Sequence, residues 1–425
     1  MPANGMTALL RGHTAAFHDR GSPSPGAGHV RTNHLPAGSS AWDASDRKKI
    51  LVLSVSAGSG HVRAAEALCA HARLDFSDLA LRHRDLMQLV PSWFRKIYTD
   101  WYLRLASGLP EAWGWLYRKT DREPTNSLGG RLRRLIQRLC AQALFTEIDD
   151  FSPDAIICTH FLPAELLASA INRGSLRCPV WVVVTDFDVH QMWVHQGITG
   201  YFVANEELAY RLEAAGIPES RIVVTGIPVM PHFAPTLARG HCSAQFALNP
   251  DRTTLLMMGG GAGMGMSARI INAILDIDPS LQLIVLTGRN QRLLEELSAL
   301  ACFCRGRLVP LGFTDQVPEL MACSDLVITK PGGLSTSECL VMGRPMLLVS
   351  PIPGQEERNA ALLLQEGVAQ RADDEATLLY RLRRLLTDTD TLRTMQSNTH
   401  LLAQPHAASL ILQRVHKDIS LRLHA

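Results

Sequence analysis

Two parallel α/β sheets in tandem, each covered by helices on both faces, is the fold class this sequence predicts. Three observations carry it. Short apolar strands alternate with helical stretches along most of the chain. Strands run directly into glycine-rich turns that open helices. A proline-rich stretch without any period separates two such series. At 425 residues there is room for two or three domains, each with its own core.

Taken in order, residues 1–45 are rich in Gly, Ser, Pro, Ala and His, with Arg11, Arg20 and Arg31 against Asp19 and Asp43. They read as a flexible N-terminal tail, and a transit peptide shares the same Arg-rich, acid-poor bias. Residues 46–228 form the first domain. Its opening is a strand at Ile50–Val55, a turn at Ser56–Gly60 and a helix from Val62 to about Ala72. Further strands read at Ala155–Cys158, Val180–Val184, Tyr201–Val203 and Arg221–Val224. Residues 229–252 are the linker, in a region holding Pro218, Pro228, Pro231, Pro235 and Pro250. The grammar then restarts over 253–400: strand Thr254–Met258, glycine turn Gly259–Gly265 and a helix from about Ser267. Strands follow at Leu281–Thr287, Leu326–Thr329 and Met346–Val349, and residues 401–425 read as a C-terminal helix. A cleft between two such domains is the expected ligand site.

Composition excludes several classes. Lys+Arg number 42 against 40 Asp+Glu, a net charge of +2, which argues against a dedicated nucleic-acid binder. No apolar run approaches the ~20 residues of a membrane-spanning helix. The nine cysteines are scattered with no C-x-x-C pair, and no H-E-x-x-H occurs, so neither disulfides nor a metal site is expected.

Three glycine turns are phosphate candidates, because unpaired N–H groups and the helix dipole favour an anion there: Gly58-Ser-Gly60, Gly259–Gly265 and Pro331-Gly332-Gly333. None is a P-loop. Gly263-x-Gly265-x-x-Ala268 fits a degenerate dinucleotide fingerprint, yet the next strand ends Leu286-Thr287-Gly288-Arg289 without the acid a ribose needs. In Lys330–Glu338, Ser335 to Ser337 offer hydroxyl and N–H groups to a diphosphate. Spacing alone leaves Glu338 either a ribose-binding carboxylate or a first-turn acid favoured by the dipole. His61, in the turn after the first strand, is either a general base or a locally bonded helix-start histidine. Asp186-Phe-Asp188 is a D-x-D at a strand's carboxyl end, but the pattern also occurs at Asp276/Asp278 and Asp388/Asp390.

Together these strings resemble a known family. Ser54-Val-Ser-Ala-Gly-Ser-Gly-His-Val-Arg-Ala-Ala-Glu-Ala-Leu68 resembles the N-terminal signature of monogalactosyldiacylglycerol synthases and processive diacylglycerol glucosyltransferases. Thr185–His190, Met257–Gly265, Gly288-Arg-Asn290, Leu311-Gly-Phe-Thr314, Lys330–Glu338 and Pro353–Glu357 follow in the family's order, over about residues 49–400. The bacterial peptidoglycan N-acetylglucosaminyltransferase is a more distant relative of the same architecture. The resemblance implies a GT-B fold, two Rossmann-like domains facing across a deep cleft, with the acceptor on the first and the UDP-sugar on the second. It also implies inverting hexose transfer from UDP-galactose or UDP-glucose to diacylglycerol, with no cofactor and no metal required. His61 becomes the general base, with Gly58, Gly60, Asp186, His190 and Trp193 on the acceptor side. Gly259, Gly260, Gly261, Gly263, Gly332, Gly333, Ser335 and Thr336 surround the diphosphate. Phe313 contacts uracil through its main chain, Arg289 and Asn290 join the UDP-sugar side, Glu338 holds the ribose, and Gln355 and Glu356 read the hexose. Gln191 stands where many relatives carry proline. A different amphipathic acceptor, such as a polyprenyl-linked one, and a catalytically silent lipid-binding relative are the alternatives.

One window points to a membrane surface. Residues 82–138 hold 12 Lys+Arg against five acids, with Trp93, Trp101, Trp113 and Trp115 interleaved. Amphipathic rings among cations suit the headgroup region of an anionic bilayer. The expectation is a peripheral protein on the cytoplasmic face of a membrane. An ordinary solvated helix face is the competing reading for Arg131–Arg138.

Overall fold

A computed structural model describes residues 47–56, 58–90, 95, 142–259, 266–352 and 354–423. Within them lie two six-stranded sheets, parallel throughout. The first has the order β2-β1-β3-β4-β5-β6, with β1 Lys48–Ser54, β2 Leu79–Asp85, β3 Ala155–Cys158, β4 Val180–Val183, β5 Gly200–Val203 and β6 Ile222–Val224. The second has the order β12-β11-β10-β7-β8-β9, with β7 Thr254–Met258, β8 Gln282–Leu286, β9 Leu308–Leu311, β10 Leu326–Thr329, β11 Met346–Val349 and β12 Ala369–Ala372.

Parallel strands need crossover helices on their faces, so central strands are apolar on both sides. In β1, Leu51 and Leu53 enter one hydrophobic cluster while Ile50 and Val52 enter another. In β7, Leu256 and Met258 face one cluster while Leu255 and Met257 face the other. The cluster holding Leu51 and Leu256 is continuous across both halves of the chain.

Strand order fixes where a site forms. The order reverses between β1 and β3 in the first sheet and between β7 and β10 in the second. Connections leave in opposite directions at such a switch point and open a crevice at the strands' carboxyl ends. Ser59–Asp75, the helix carrying His61, follows β1, and Gly333–Val341 follows β10.

The structure corrects the expected elements in three places. Strands β2, β9 and β12 were not expected, and each is an edge strand. The linker holds a helix, Arg239–Gln245, whose Arg239 guanidinium makes two bonds to Asp325, of 2.6 and 2.9 Å. The C-terminal helix starts six residues later than expected. Thr389–Leu402 ends before Pro405, and Ala407–Leu423 returns to the first sheet. There Ile411, Leu412, Val415 and Ile419 are buried against Ile50, Val52, Leu68 and Trp181. Each such side chain contributes roughly 1.5–3 kcal/mol by burial, which ties the chain's end to its first half.

Candidate active site

The helix Ser59–Asp75 begins at Gly58, whose φ of +135° suits glycine, and its first turn has neither a side-chain cap nor an acid. His61 is its third residue. The ring's Nδ1 lies 3.0 Å from the Thr159 carbonyl and 2.7 Å from Thr185 Oγ1. A carbonyl only accepts, so Nδ1 carries the proton and Nε2 keeps its lone pair. Thr159 and Thr185 sit just past β3 and β4, at the same edge of the sheet. Burial pushes the His61 pKa below its ordinary value, opposed by the negative charge of Asp186 and by the Thr159 carbonyl. A neutral imidazole is the form that accepts a proton.

Aromatic rings wall this ring. His160 stands edge-on at 4.6 Å between centroids, and Trp193 is tilted at 6.4 Å. Burial and the neighbouring His61 hold His160 well below the usual histidine range. His160 Nδ1 accepts from Leu162 N at 3.0 Å, which caps the helix Phe161–Asn172. His190 is buried, and its Nδ1 accepts from Met192 N at 3.2 Å, capping the short turn Gln191–Trp193. That turn forms with Gln191 at its first position, so proline is not required to place Trp193.

Residues 185–188 bring the halves together. A Cβ on Gly333 would lie 2.1 Å from the Thr185 carbonyl oxygen, so only glycine permits this approach. Gly60 is close as well, its Cβ position 3.7 Å from Leu334. Gln355 Nε2 donates to Asp186 Oδ2 at 2.5 Å, and Phe187 N donates to Asn359 Oδ1 at 3.0 Å. Asn359 Nδ2 also donates to the Pro331 carbonyl at 3.0 Å. Burial raises the Asp186 pKa against the pull of His61, Gln355 and Asn359. Asp188 is buried between two arginines, Arg211 at 3.2 Å and Arg358 at 2.6 Å, one from each half. Its carboxylate is thus taken up in an ion-pair clasp, and among the described residues no cluster of three or more His, Cys, Asp or Glu is placed to hold a metal.

Replacing Gly333 with alanine is expected to lower the stability of the closed arrangement by about 1–3 kcal/mol, as overpacking does. Thermal unfolding reads it directly. Gly332→Ala meets nothing nearer than Glu356 Oε1 at 3.9 Å and should leave the melting temperature in place. Equal melting of the two variants would show that the contact at Thr185 is not tight.

In the second half, Gly332 is the N-cap of Gly333–Val341, again without a side-chain cap or a first-turn acid. Glu338 is the sixth residue of that helix, past its first turn, so the dipole reading of this carboxyl does not apply. It is only 8% exposed, without a hydrogen-bond partner among the described residues. Burial raises its pKa to about 8, with the positive charge of Arg63 pulling the other way. Thr336 Oγ1 is buried and lacks a partner among the described residues. Ser335 is half-buried, whereas Ser337 Oγ donates to the Gly333 carbonyl at 2.9 Å. The Thr336 hydroxyl, stripped of water and left unpaired among the described residues, is costly unless a ligand completes it.

Other expected residues are placed as follows. Gly259 is buried just past β7, while Gly260, Gly261 and Gly263 lie outside the described residues. Arg289 is exposed past β8, and Asn290 Oδ1 caps the helix Gln291–Ala301 by accepting from Leu293 N at 3.0 Å. Phe313 is 70% exposed past β9. The same loop's Asp315 comes 3.7 Å from Arg63, which brings it to the His61 helix. Gln355 is engaged by Asp186, and Glu356 Oε2 accepts from Ile352 N at 2.7 Å. Trp93, Trp101, Trp113 and Trp115 lie outside the described residues. Of the basic window, Arg82 and Arg84 pair with Glu147 at 3.2 and 2.9 Å. Thr159, Thr185, Asn359, Arg63, Arg211 and Arg358 were not anticipated, though Thr185 ends an apolar run at the strand edge where ligands gather.

Two parallel α/β halves whose carboxyl edges meet in this way define the GT-B class. Solved structures agree at the level of fold. MurG of Acinetobacter baumannii matches with a TM-score of 0.56 at 16% identity, over 87% of this chain and 99% of that one. A UDP-GlcNAc 2-epimerase of Neisseria meningitidis matches at 0.57 and 15%, over 87% and 100%. The family model for monogalactosyldiacylglycerol (MGDG) synthase matches residues 61–229, and that for the glycosyltransferase family 28 C-terminal domain matches 254–414. The processive diacylglycerol beta-glucosyltransferase of Bacillus subtilis is 29% identical over 372 residues, 87% of this chain and 95% of its own length. That of Staphylococcus epidermidis is 28% identical over 357 residues, 83% and 88%. The first half thus matches the monogalactosyldiacylglycerol synthase family and the second the glycosyltransferase family 28 C-terminal domain, and the chain is similar over most of its length to processive diacylglycerol beta-glucosyltransferases.

Proposed function

We propose that the protein is an inverting glycosyltransferase that moves glucose or galactose from a UDP-sugar to the hydroxyl of diacylglycerol. The observation that carries the reading is the pairing across the halves. A histidine whose Nδ1 sits on a carbonyl, leaving Nε2 free to accept, lies on a helix that meets Gly333–Val341 at Gly60 and Leu334, and on that second helix Thr336 Oγ1 is buried without a partner among the described residues. In this reading His61 Nε2 takes the acceptor hydroxyl's proton as its oxygen attacks C1 of the hexose from the face opposite UDP. The leaving diphosphate gains charge against the N–H groups of Gly333–Val341 and its dipole, which favours departure without a metal. Glu338 accepts from the ribose hydroxyls, and Gln355, keeping its Nε2 bond to Asp186, offers its carbonyl oxygen to a hexose hydroxyl.

The lipid acceptor lies in a bilayer, so the protein must reach one. Among the described residues no helix is long and apolar enough to cross a membrane. The basic, tryptophan-bearing window of residues 82–138 is the proposed contact with an anionic surface, on the cytoplasmic side where UDP-sugars are made. Radiolabelled UDP-glucose and UDP-galactose, offered with diacylglycerol in vesicles with and without anionic lipid, test all of this. Labelled glycolipid from at least one donor is expected, faster on anionic vesicles. Absence of product from both donors would refute the assignment.

A further inference from the structure

His61 needs more than a place in the crevice: its ring must present Nε2 and not Nδ1 to the acceptor. We propose that Thr159 and Thr185 are positioning residues for His61, holding it in the Nδ1–H tautomer, and that the sugar-donor half sets Thr185 in place. The proposal rests on the reading of His61 as general base.

Thr159 grips His61 twice. Its Oγ1 donates to the His61 carbonyl at 2.8 Å, and its own carbonyl accepts from Nδ1 at 3.0 Å. Thr159 N in turn donates to the Leu53 carbonyl at 2.9 Å, so this grip is anchored inside the first sheet. Thr185 Oγ1 directs its hydrogen to the Thr159 carbonyl at 3.4 Å, which leaves a lone pair for Nδ1–H at 2.7 Å. Both threonines are buried, so water does not substitute for them. As the ring takes up a proton at Nε2, the bond from Nδ1–H to Thr185 becomes charge-assisted and strengthens.

Thr185 is held from the other side. Gly333 packs on its carbonyl, Gln355 bonds Asp186, and Asn359 bonds Phe187 N and the Pro331 carbonyl. Every one of these contacts comes from the second half. Closing the halves therefore completes the base, and opening them releases Thr185 from its support.

The charged and titratable groups acting on the ring are Asp186 past β4 and His160 past β3, while Arg63 follows on its own helix. Glu356 and Glu338 of the second half act on Asp186 and Arg63 respectively. Thr185→Val and Thr185→Ser alter none of them. Thr185→Val is expected to slow transfer by roughly tenfold to a hundredfold, the size of a lost bond to a charged group. Its acid limb in kcat/KM should move to lower pH, because the protonated ring loses an acceptor. UDP affinity should stay unchanged, and Thr185→Ser should recover the rate to within about threefold of the unsubstituted protein. An unshifted limb, a full rate in Thr185→Val, or equal loss in both variants would overturn the proposal. The tautomer is read without turnover from the 15N imidazole resonances of His61, identified by their loss in His61→Ala. A protonated Nδ1 in the unsubstituted protein and a larger Nε2–H share in Thr185→Val are expected. An Nε2–H ring in the unsubstituted protein overturns the proposal whether or not glycolipid forms. Absence of glycolipid with the expected resonances refutes the functional reading alone.

Discussion

His61→Ala is expected to slow hexose transfer by about 10²–10⁴-fold, the range a general base supplies, while UDP binds as before. The substitution removes the proton acceptor and nothing from the second half, where the nucleotide site is proposed. The helix itself does not depend on the ring, since its start is shaped by Gly58 and its first turn has no side-chain cap. The surviving rate should also lose its acid limb, because the group whose protonation shuts off catalysis is gone. Hexose transfer rates on vesicles together with calorimetric UDP titrations separate the effects. Glycolipid formation at the full rate would remove His61 from the chemistry, and lost UDP affinity would move it to the nucleotide site.

The central strands were legible because burial on both faces leaves an apolar run, as in Leu326–Thr329 and Met346–Val349, which the structure matches end to end. Edge strands were not. Leu79–Asp85 reads LALRHRD, with polar residues where one face meets solvent, and Ala369–Ala372 reads AQRA. Pro310 interrupts Leu308–Leu311, which an edge tolerates but a run-based reading does not. The returning C-terminal helix was hidden for another reason: its partners, Ile50, Val52, Leu68 and Trp181, lie in the first half of the chain, and no local pattern records such a contact.

His61 and Glu338 were legible as candidates because strand, glycine and helix follow one another in sequence around each of them. The site's supports were not. Thr159, Thr185 and Asn359 come from three separate connections and act only through contacts made after both sheets form. Gly333 shows the same limit. Its place in a glycine turn suggests phosphate, yet its lack of a side chain is demanded first by the Thr185 carbonyl.

Glu338→Gln is expected to weaken UDP-sugar binding by roughly 10–100-fold and, at alkaline pH, to stabilise the free protein. Both follow from one carboxyl. Burial raises the Glu338 pKa to about 8 from an ordinary value of 4.5, so the free folded protein keeps a proton that the unfolded chain releases. Below pH 4.5 both states are protonated and nothing is lost. As pH rises from 4.5 to about 8 the unfolded chain binds fewer protons than the folded one, and stability falls by an amount on the order of 3–5 kcal/mol. Glutamine removes that loss, so the variant should melt above the unsubstituted protein at pH 8.5, with the gap narrowing at pH ~6. Binding runs the opposite way. Ribose hydroxyls donate to the carboxylate form, so nucleotide uptake below pH ~8 must expel the proton, and affinity should rise by up to about tenfold per pH unit until it levels off. UDP-glucose is the suitable titrant, because its diphosphate diester has no group titrating in this range. Calorimetry in buffers of different ionisation enthalpy would count the released proton. A pH-independent affinity shared by both proteins would remove Glu338 from the ribose. Matched melting curves at alkaline pH would show that its carboxyl is better solvated than its position in the helix implies.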